Sequence, residues 1–234
     1  MASQVLTNTK VWVDQYDVSG QLNAVAVEYG VDALDETTFG DDTRSNTAGL
    51  KTTTMSHEGY WAAGTDEAMY NSIGGGSTVV TIAGAGSAVG DDAYLAQTLS
   101  TTYSPGAAIG ELLAFTIDME AAGPLVRGSL LANNTASGNG NAAPVQLGAV
   151  AASETLYGAL HVTSIAGGTL TVKIQSDSTS GFGSPTDQIT FTAATGLTAQ
   201  FSSATGAVTD TYWRALWTLT GGSASFIVSA GIGE

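Results

Sequence analysis

From the first segments onward, apolar and polar side chains alternate with period two, which places one face of each segment against a core and the other in solvent. Val11 and Val13, then Leu22, Ala24 and Ala26, share this spacing and are separated by the turn-like Asp17-Val18-Ser19-Gly20. The pair reads as a β-hairpin. Residues 31–49 are polar, acidic and punctuated by Gly40 and Gly49. This stretch reads as a long excursion that holds no regular core strand throughout. In LKTTTMSHEGYW, Leu50, Thr52, Thr54, Ser56 and Glu58 alternate with Lys51, Thr53, Met55, His57 and Gly59, and the β-branched threonines favour a pleated strand.

Thr65-Asp66-Glu67, followed by Ala68, Met69 and Tyr70 and closed by Gly74-Gly75-Gly76, has a cap residue, acids in a first turn and a glycine stop. It predicts one short helix over 65–73. A strand follows at 77–86, a segment readable as helix or strand at 91–105, and two further strands at 111–120 and 125–132. Residues 132–144 (ANNTASGNGNAAP) contain no large apolar side chain and read as a linker or long loop. Beyond them, strands at 156–165, 168–177, 187–195, 211–220 and 224–232 follow one another through turns such as Ala166-Gly167-Gly168 and Gly221-Gly222. Short strands at near-regular spacing, with no helix signal between them, predict an antiparallel sandwich. The domain plan is therefore 1–131, a linker at 132–144, and a second β-rich half at 145–234. Trp213 and Trp217 fall on one face with Ala215, either in the core or as an aromatic platform for sugars.

Composition narrows the chemistry. A chain of 234 residues buries roughly 70% of its unfolded surface, enough for a core without staples. With no cysteine, disulfides, thiolate metal sites and cysteine nucleophiles are excluded. The net charge is −15, from 21 acids and 6 bases, and the acids concentrate before residue 128. A basic grip on nucleic-acid phosphate is unsupported by such a balance. No apolar run reaches the ~20 residues of a membrane helix, and the N-terminus MASQVLTNTK has no apolar core of a leader, so a soluble protein without a secretion signal or membrane contact is expected.

Catalytic signatures are weak. His57 and His161 lie over a hundred residues apart, and no G-x-S-x-G elbow accompanies them. Gly84 to Gly90 approximates a dinucleotide fingerprint with its last glycine one position late, and reads better as a strand-end turn. Asp32, Asp35, Glu36, Asp41 and Asp42 could offer oxygen ligands to Ca²⁺, but their spacing matches no EF-hand and reads as a solvated loop. Glycosidase chemistry needs two facing carboxylates, and the second half offers only Glu154, Asp177, Asp187, Asp210 and Glu234, among which spacing selects no pair. The expectation is a protein with no catalytic residue, no cofactor and no metal.

The segment VWVDQYDVSGQLNAVAVEYG, the string LDETTFGDDTRSNTAGLKTTTMSHEGYW, Val89-Gly90-Asp91-Asp92-Ala93-Tyr94, Ser104-Pro105-Gly106 and LAFTIDME together resemble the tail tube proteins of long-tailed, siphovirus-like bacteriophages. The match is most specific at Asp35 to Asp42 and at Gly49-Leu50-Lys51, and spans about residues 5–131; segments beyond 145 are similar to the C-terminal half of such proteins. The resemblance implies an all-β fold: an antiparallel β-sandwich or barrel of tail-tube type with one short flanking helix, plus a C-terminal β-sandwich half. It implies self-assembly into rings of six, or trimeric rings with pseudo-sixfold symmetry because this chain has strands enough for two sandwiches. Stacked rings would form a tube in the virion tail, made from subunits synthesised in the host cytoplasm. Its partners would be itself and other tail proteins such as the tape measure and terminator, with DNA passing through during ejection without specific binding. The excursion corresponds to a loop reaching a neighbouring subunit or ring, formed by Asp35, Glu36, Thr37, Thr38, Phe39, Gly40, Asp41, Asp42 and Arg44. Acids in strand-like segments, Asp14, Glu28, Glu58, Glu111, Asp118 and Glu120, are the expected lumen groups. A capsid decoration protein and a carbohydrate-binding β-sandwich on the virion are the alternatives.

Overall fold

The computed structural model describes residues 8–234; the leader-free reading of the N-terminus falls in part on residues 1–7, outside the described residues. The first half contains β1 (Lys10–Val13), β2 (Tyr16–Asp17), β3 (Leu22–Asp35), β4 (Asn46–Tyr60), helix α1 (Ala63–Ser72), β5 (Thr78–Ala83), β6 (Asp92–Gly106) and β7 (Ala114–Ala121). Then come β8 (Val126–Ala136), β9 (Gly140–Asn141), β10 (Val145–Gln146), β11 (Thr155–Ala166), β12 (Leu170–Asp177), β13 (Thr186–Thr190), β14 (Thr198–Thr205), β15 (Tyr212–Leu219) and β16 (Ser223–Gly233). The protein is all-β and antiparallel, as its alternation predicts.

One sheet runs β14-β11-β16-β8-β6-β5-β1-β2, with β7 and then β4 and β3 branching from β6. The long β6 makes this possible. Its residues 98–106 pair with β7 and its residues 92–95 with β8, while β5 pairs with residues 93–98. The layer β3-β4-β7 packs on β1 and β5, burying Val11, Val13, Met55, Val80, Ile82, Ile117 and Met119. At the other end a second sheet, β10-β15-β12-β13 with β9, covers the opposite face of β8, β16 and β11 over a core holding Leu156, Leu160, Trp213, Trp217 and Phe226. Each half is a sandwich, and the two share a sheet.

That sheet also folds back on itself. Val79, Leu95, Val126 and Ala159 form one cluster, and Trp12, Ala83, Leu130 and Ile227 another, so β1 and β5 pack face to face with β16 and β11. Within this contact the Thr81 hydroxyl lies 2.8 Å from His161 Nε2 and 3.1 Å from Ser229 Oγ, and His161 Nδ1 donates to the Asp14 carbonyl at 2.6 Å. Those bonds place the imidazole proton on Nδ1, and burial holds its pKa down to about 4. A charged ring would leave Nε2 facing a hydroxyl instead of an anion.

Several expectations change. The hairpin over residues 11–26 does not form: β1 pairs with β2 and β5, and β3 pairs with β4. Period two fixes which face a strand buries, not its neighbour, and the fully buried TVVTIA run of β5 takes the central place beside β1. The segment at 91–105 is strand, as β6 from Asp92 to Gly106. The helix starts two residues earlier than expected, with Ala62 as cap and no side-chain capping bond, while Thr65 is buried in the first turn. Residues 111–113 precede β7 instead of belonging to it. Most consequentially, residues 132–136 are not linker. They complete β8, pairing Ala132 with Val228 and Ala136 with Ala224. Ala132 and Ala136 are buried, so small side chains here mark close packing against β16 and its covering sheet. Gly128 follows the same logic: a Cβ there would sit 1.9 Å from the Ala230 carbonyl oxygen.

Candidate functional site

The β3-β4 hairpin is an arm. Its strands pair from Leu22↔Gly59 to Asp35↔Asn46, but β7 joins β4 only from Thr54 onward, so the outer part is a two-stranded ribbon. Residues 31–35 and 46–49 of the predicted excursion are thus strand, and the true loop is 36–45. Every residue from Tyr29 to Ala48 is exposed, which explains why no buried face was legible there.

The loop is held by its own polar groups. Asp35 Oδ1 accepts the Thr37 N–H at 2.9 Å, Ser45 N–H donates to Thr37 Oγ1 at 3.0 Å, and Ser45 Oγ donates to Glu36 Oε1 at 3.0 Å. Asp41 Oδ2 accepts from the Thr38 N–H at 2.7 Å and its hydroxyl at 2.9 Å, and Asp42 Oδ1 accepts the Thr43 hydroxyl at 2.9 Å. These bonds stabilise the ionised form, so the Asp35 and Asp41 carboxyls titrate below the usual range. They act as turn caps. Gly40 at φ 115° permits the tight turn that leaves Phe39 fully exposed at the tip. Arg44 makes no ion pair among the described residues.

The same sheet carries an acidic face. Register places Glu28, Thr54, Glu120 and Leu99 in one row, Ala26, Ser56, Asp118 and Thr102 in the next, and Ala24, Glu58, Thr116 and Ser104 in a third. Four of the six predicted lumen acids, Glu28, Glu58, Asp118 and Glu120, therefore share one solvent-facing surface, where Ser56 Oγ donates to Asp118 Oδ1 at 2.8 Å. No Lys or Arg lies in these rows; Lys51, on the opposite parity of β4, sits 3.9 Å from Glu234. Asp14 and Glu111 do not belong to it. Asp14 is a turn residue at φ 49° whose Oδ1 accepts the Val79 N–H at 2.9 Å, and burial raises its pKa against that bond. Glu111 closes a turn outside β7, its N–H donating to the Ala108 carbonyl at 3.1 Å.

One exposed cluster escaped the sequence reading. Ile109, Leu112 and Leu113 in the β6-β7 connection, beside Trp61, are all exposed, and the Trp61 N–H donates to the Leu113 carbonyl at 2.8 Å. The signal was the apolar run around Gly110, of which Leu112 and Leu113 fall within the strand expected over 111–120 and Ile109 lies just before it.

The remaining candidates resolve into structure. His57 and His161 are both buried; His57 has no hydrogen-bond partner among the described residues and His161 bonds the Thr81 hydroxyl and the Asp14 backbone carbonyl, so neither imidazole is hydrogen-bonded to a carboxylate. Trp213 and Trp217 are buried, their indole N–H groups donating to the carbonyls of Gly148 and Gly138 at 2.8 and 3.1 Å, so they offer no sugar platform. Gly84 to Gly90 is the turn between β5 and β6. Asp177 is buried and accepts from the Thr179 and Ser184 N–H groups, which hold its pKa low and tie down the 178–184 loop. Among the described residues no group of three or more His, Asp or Glu could hold a metal ion, and no helix is long and apolar enough to cross a membrane.

No protein-family model matches the chain, and no curated relative does. Among solved structures it is similar to a chain from the virion of a native gene transfer agent particle, at 14% identity and TM-score 0.42 over 53% of this chain and 97% of the other. A chain from the tail of the empty gene transfer agent particle matches at 17% identity and TM-score 0.40, over 48% and 91%. The SPP1 Dit protein, described as a hub adsorption apparatus in phages infecting Gram-positive hosts, matches at 13% identity and TM-score 0.41 over 97% and 99%.

Proposed function

We propose that the protein is a non-catalytic structural subunit of a bacteriophage tail, self-assembling into stacked rings whose inner wall lets DNA pass. The carrying observation is a base-free sheet face bearing Glu28, Glu58, Asp118 and Glu120, from whose own strands the β3-β4 ribbon projects. Duplex DNA carries about one charge per 1.7 Å, and a wall of Lys or Arg would hold it by counterion release. An acidic wall repels it, within the ~8 Å that charge reaches at physiological salt. Among the described residues the ribbon is exposed on both faces and β3 has a free edge, the arrangement of an element that finds its partners in another subunit. The sequence resemblance to tail tube proteins supports the same reading.

Replacing residues 36–45 by an Asn-Gly turn tests it. The ribbon end contributes nothing to either core, so the variant keeps the circular dichroism and thermal midpoint of the parent, while electron microscopy shows no stacking. A variant that polymerises as well as the parent overturns the assembly role. Trimers that bind only a preformed shell would favour a capsid decoration protein.

A further inference from the structure

We infer that the ribbon tip of one copy docks into the apolar patch formed by Ile109, Leu112, Leu113 and Trp61 at the opposite end of the same sheet in a second copy, with Arg44 facing Glu111. The inference rests on the proposed stacking and names the receiving surface. Three observations lead to it.

The two ends are built alike. At the tip, the Asp41 N–H donates to the Thr38 carbonyl at 3.2 Å across Phe39 and Gly40; at the far end, the Glu111 N–H donates to the Ala108 carbonyl at 3.1 Å across Ile109 and Gly110. Both glycines have positive φ, 115° and 93°, and both turns hold a large apolar side chain wholly in solvent. A rigid turn presents such a side chain without the ordering cost of a mobile loop. Exposed apolar groups held this way can be covered by a partner without first being ordered.

The ends are also placed for a repeating contact. β4 runs from Asn46 beside the tip to Tyr60, which pairs with Ala114 next to the 107–113 turn. Fifteen strand residues span roughly 45 to 50 Å. A tip that meets the far-end patch of another copy is a heterologous contact, which repeats along the sheet direction and builds an open-ended stack. Two tips meeting each other would stop at a pair.

Charge sets the register. The tip carries Asp35, Glu36, Asp41 and Asp42, so approach to Glu111 is repulsive unless a base intervenes. Arg44 is the one base in the 36–45 loop, and it makes no ion pair within the chain among the described residues. Its fork suits a carboxylate partner, and Glu111 is the acid within the far-end turn.

A charge exchange in the full-length protein tests the pairing, read by sedimentation and by stack length in electron microscopy. Arg44→Glu and Glu111→Arg are each expected to weaken stacking about tenfold, and the double variant to restore it to within about twofold of the parent. Ile109→Ser is expected to shorten stacks as strongly as Phe39→Ser. All four side chains are exposed, so circular dichroism is unchanged throughout. If the double variant stacks no better than the single ones, or Ile109→Ser stacks normally while loss of residues 36–45 abolishes stacking, the ribbon works elsewhere and this docking site is wrong. If the loop replacement itself leaves stacking intact, the ribbon reading fails with it.

Discussion

Replacing His57 by leucine should stabilise the protein and halve its sensitivity to mild acid. His57 lies on β4 in the first sandwich, fully buried, and neither ring nitrogen has a hydrogen-bond partner among the described residues. Desolvation holds its pKa down to about 4; the Ser56 backbone pulls the other way without a bond of good geometry. A buried polar group left unpaired costs about 1 to 3 kcal/mol, which leucine of similar volume recovers at neutral pH. Below pH 6.5 a second cost appears, because the unfolded chain takes up a proton that the folded core refuses. For a folded value near 4, stability is fully present above pH 6.5 and falls as pH drops toward 4, by about 2 kcal/mol at pH 5. His161, also held to about 4, contributes a similar loss. Wild type should therefore lose about 4 kcal/mol from these two groups between pH 7.5 and pH 5, and the variant about 2. The carboxylates titrate alike in both proteins and cancel in the comparison. Urea denaturation of unassembled subunits at the two pH values measures this. A variant destabilised by more than about 1 kcal/mol at pH 7.5, or with the wild-type pH dependence, would refute the reasoning.

Gly128→Ala should cost about 2 to 4 kcal/mol, because the added carbon meets the Ala230 carbonyl oxygen where β8, β6 and β16 join; denaturation midpoints check it. Trp217→Ala should lower stability by about 3 to 5 kcal/mol, whereas a solvent-exposed sugar platform would tolerate the change; calorimetry separates the two outcomes.

What was legible followed from repetition on one element. The alternation from Leu50 to Gly59 correctly divided β4 into a buried row with Met55 and His57 and an exposed row with Thr54 and Glu58. The four-residue spacing of Trp213 and Trp217 gave their common face, and Gly167-Gly168 and Gly221-Gly222 marked turns with positive φ. What failed depended on contacts between distant elements. Thr81, His161 and Ser229 each read as ordinary polar strand residues, yet together they fill the junction where the sheet folds back. Asn133, Asn134 and Thr135 looked like linker because they are small and polar, and only pairing with β16 makes them strand. β14 was missed for the same reason, its half-buried Ala199 and Phe201 being interleaved with Gln200 and Ser202. The acidic face lies between: its members were identifiable as strand acids, but gathering Glu28, Glu58, Asp118 and Glu120 required the registers of β3, β4 and β7.

Cryo-electron microscopy of the purified protein at assembling concentration tests the central claim most directly. The account predicts closed rings stacked into a hollow tube, the β3-β4 ribbon of each subunit crossing to the next ring, and an inner wall on which the Glu28, Glu58, Asp118 and Glu120 carboxylates outnumber Lys and Arg. A protein that stays monomeric at every concentration, or a ring whose lumen carries more Lys and Arg than Asp and Glu, would contradict it.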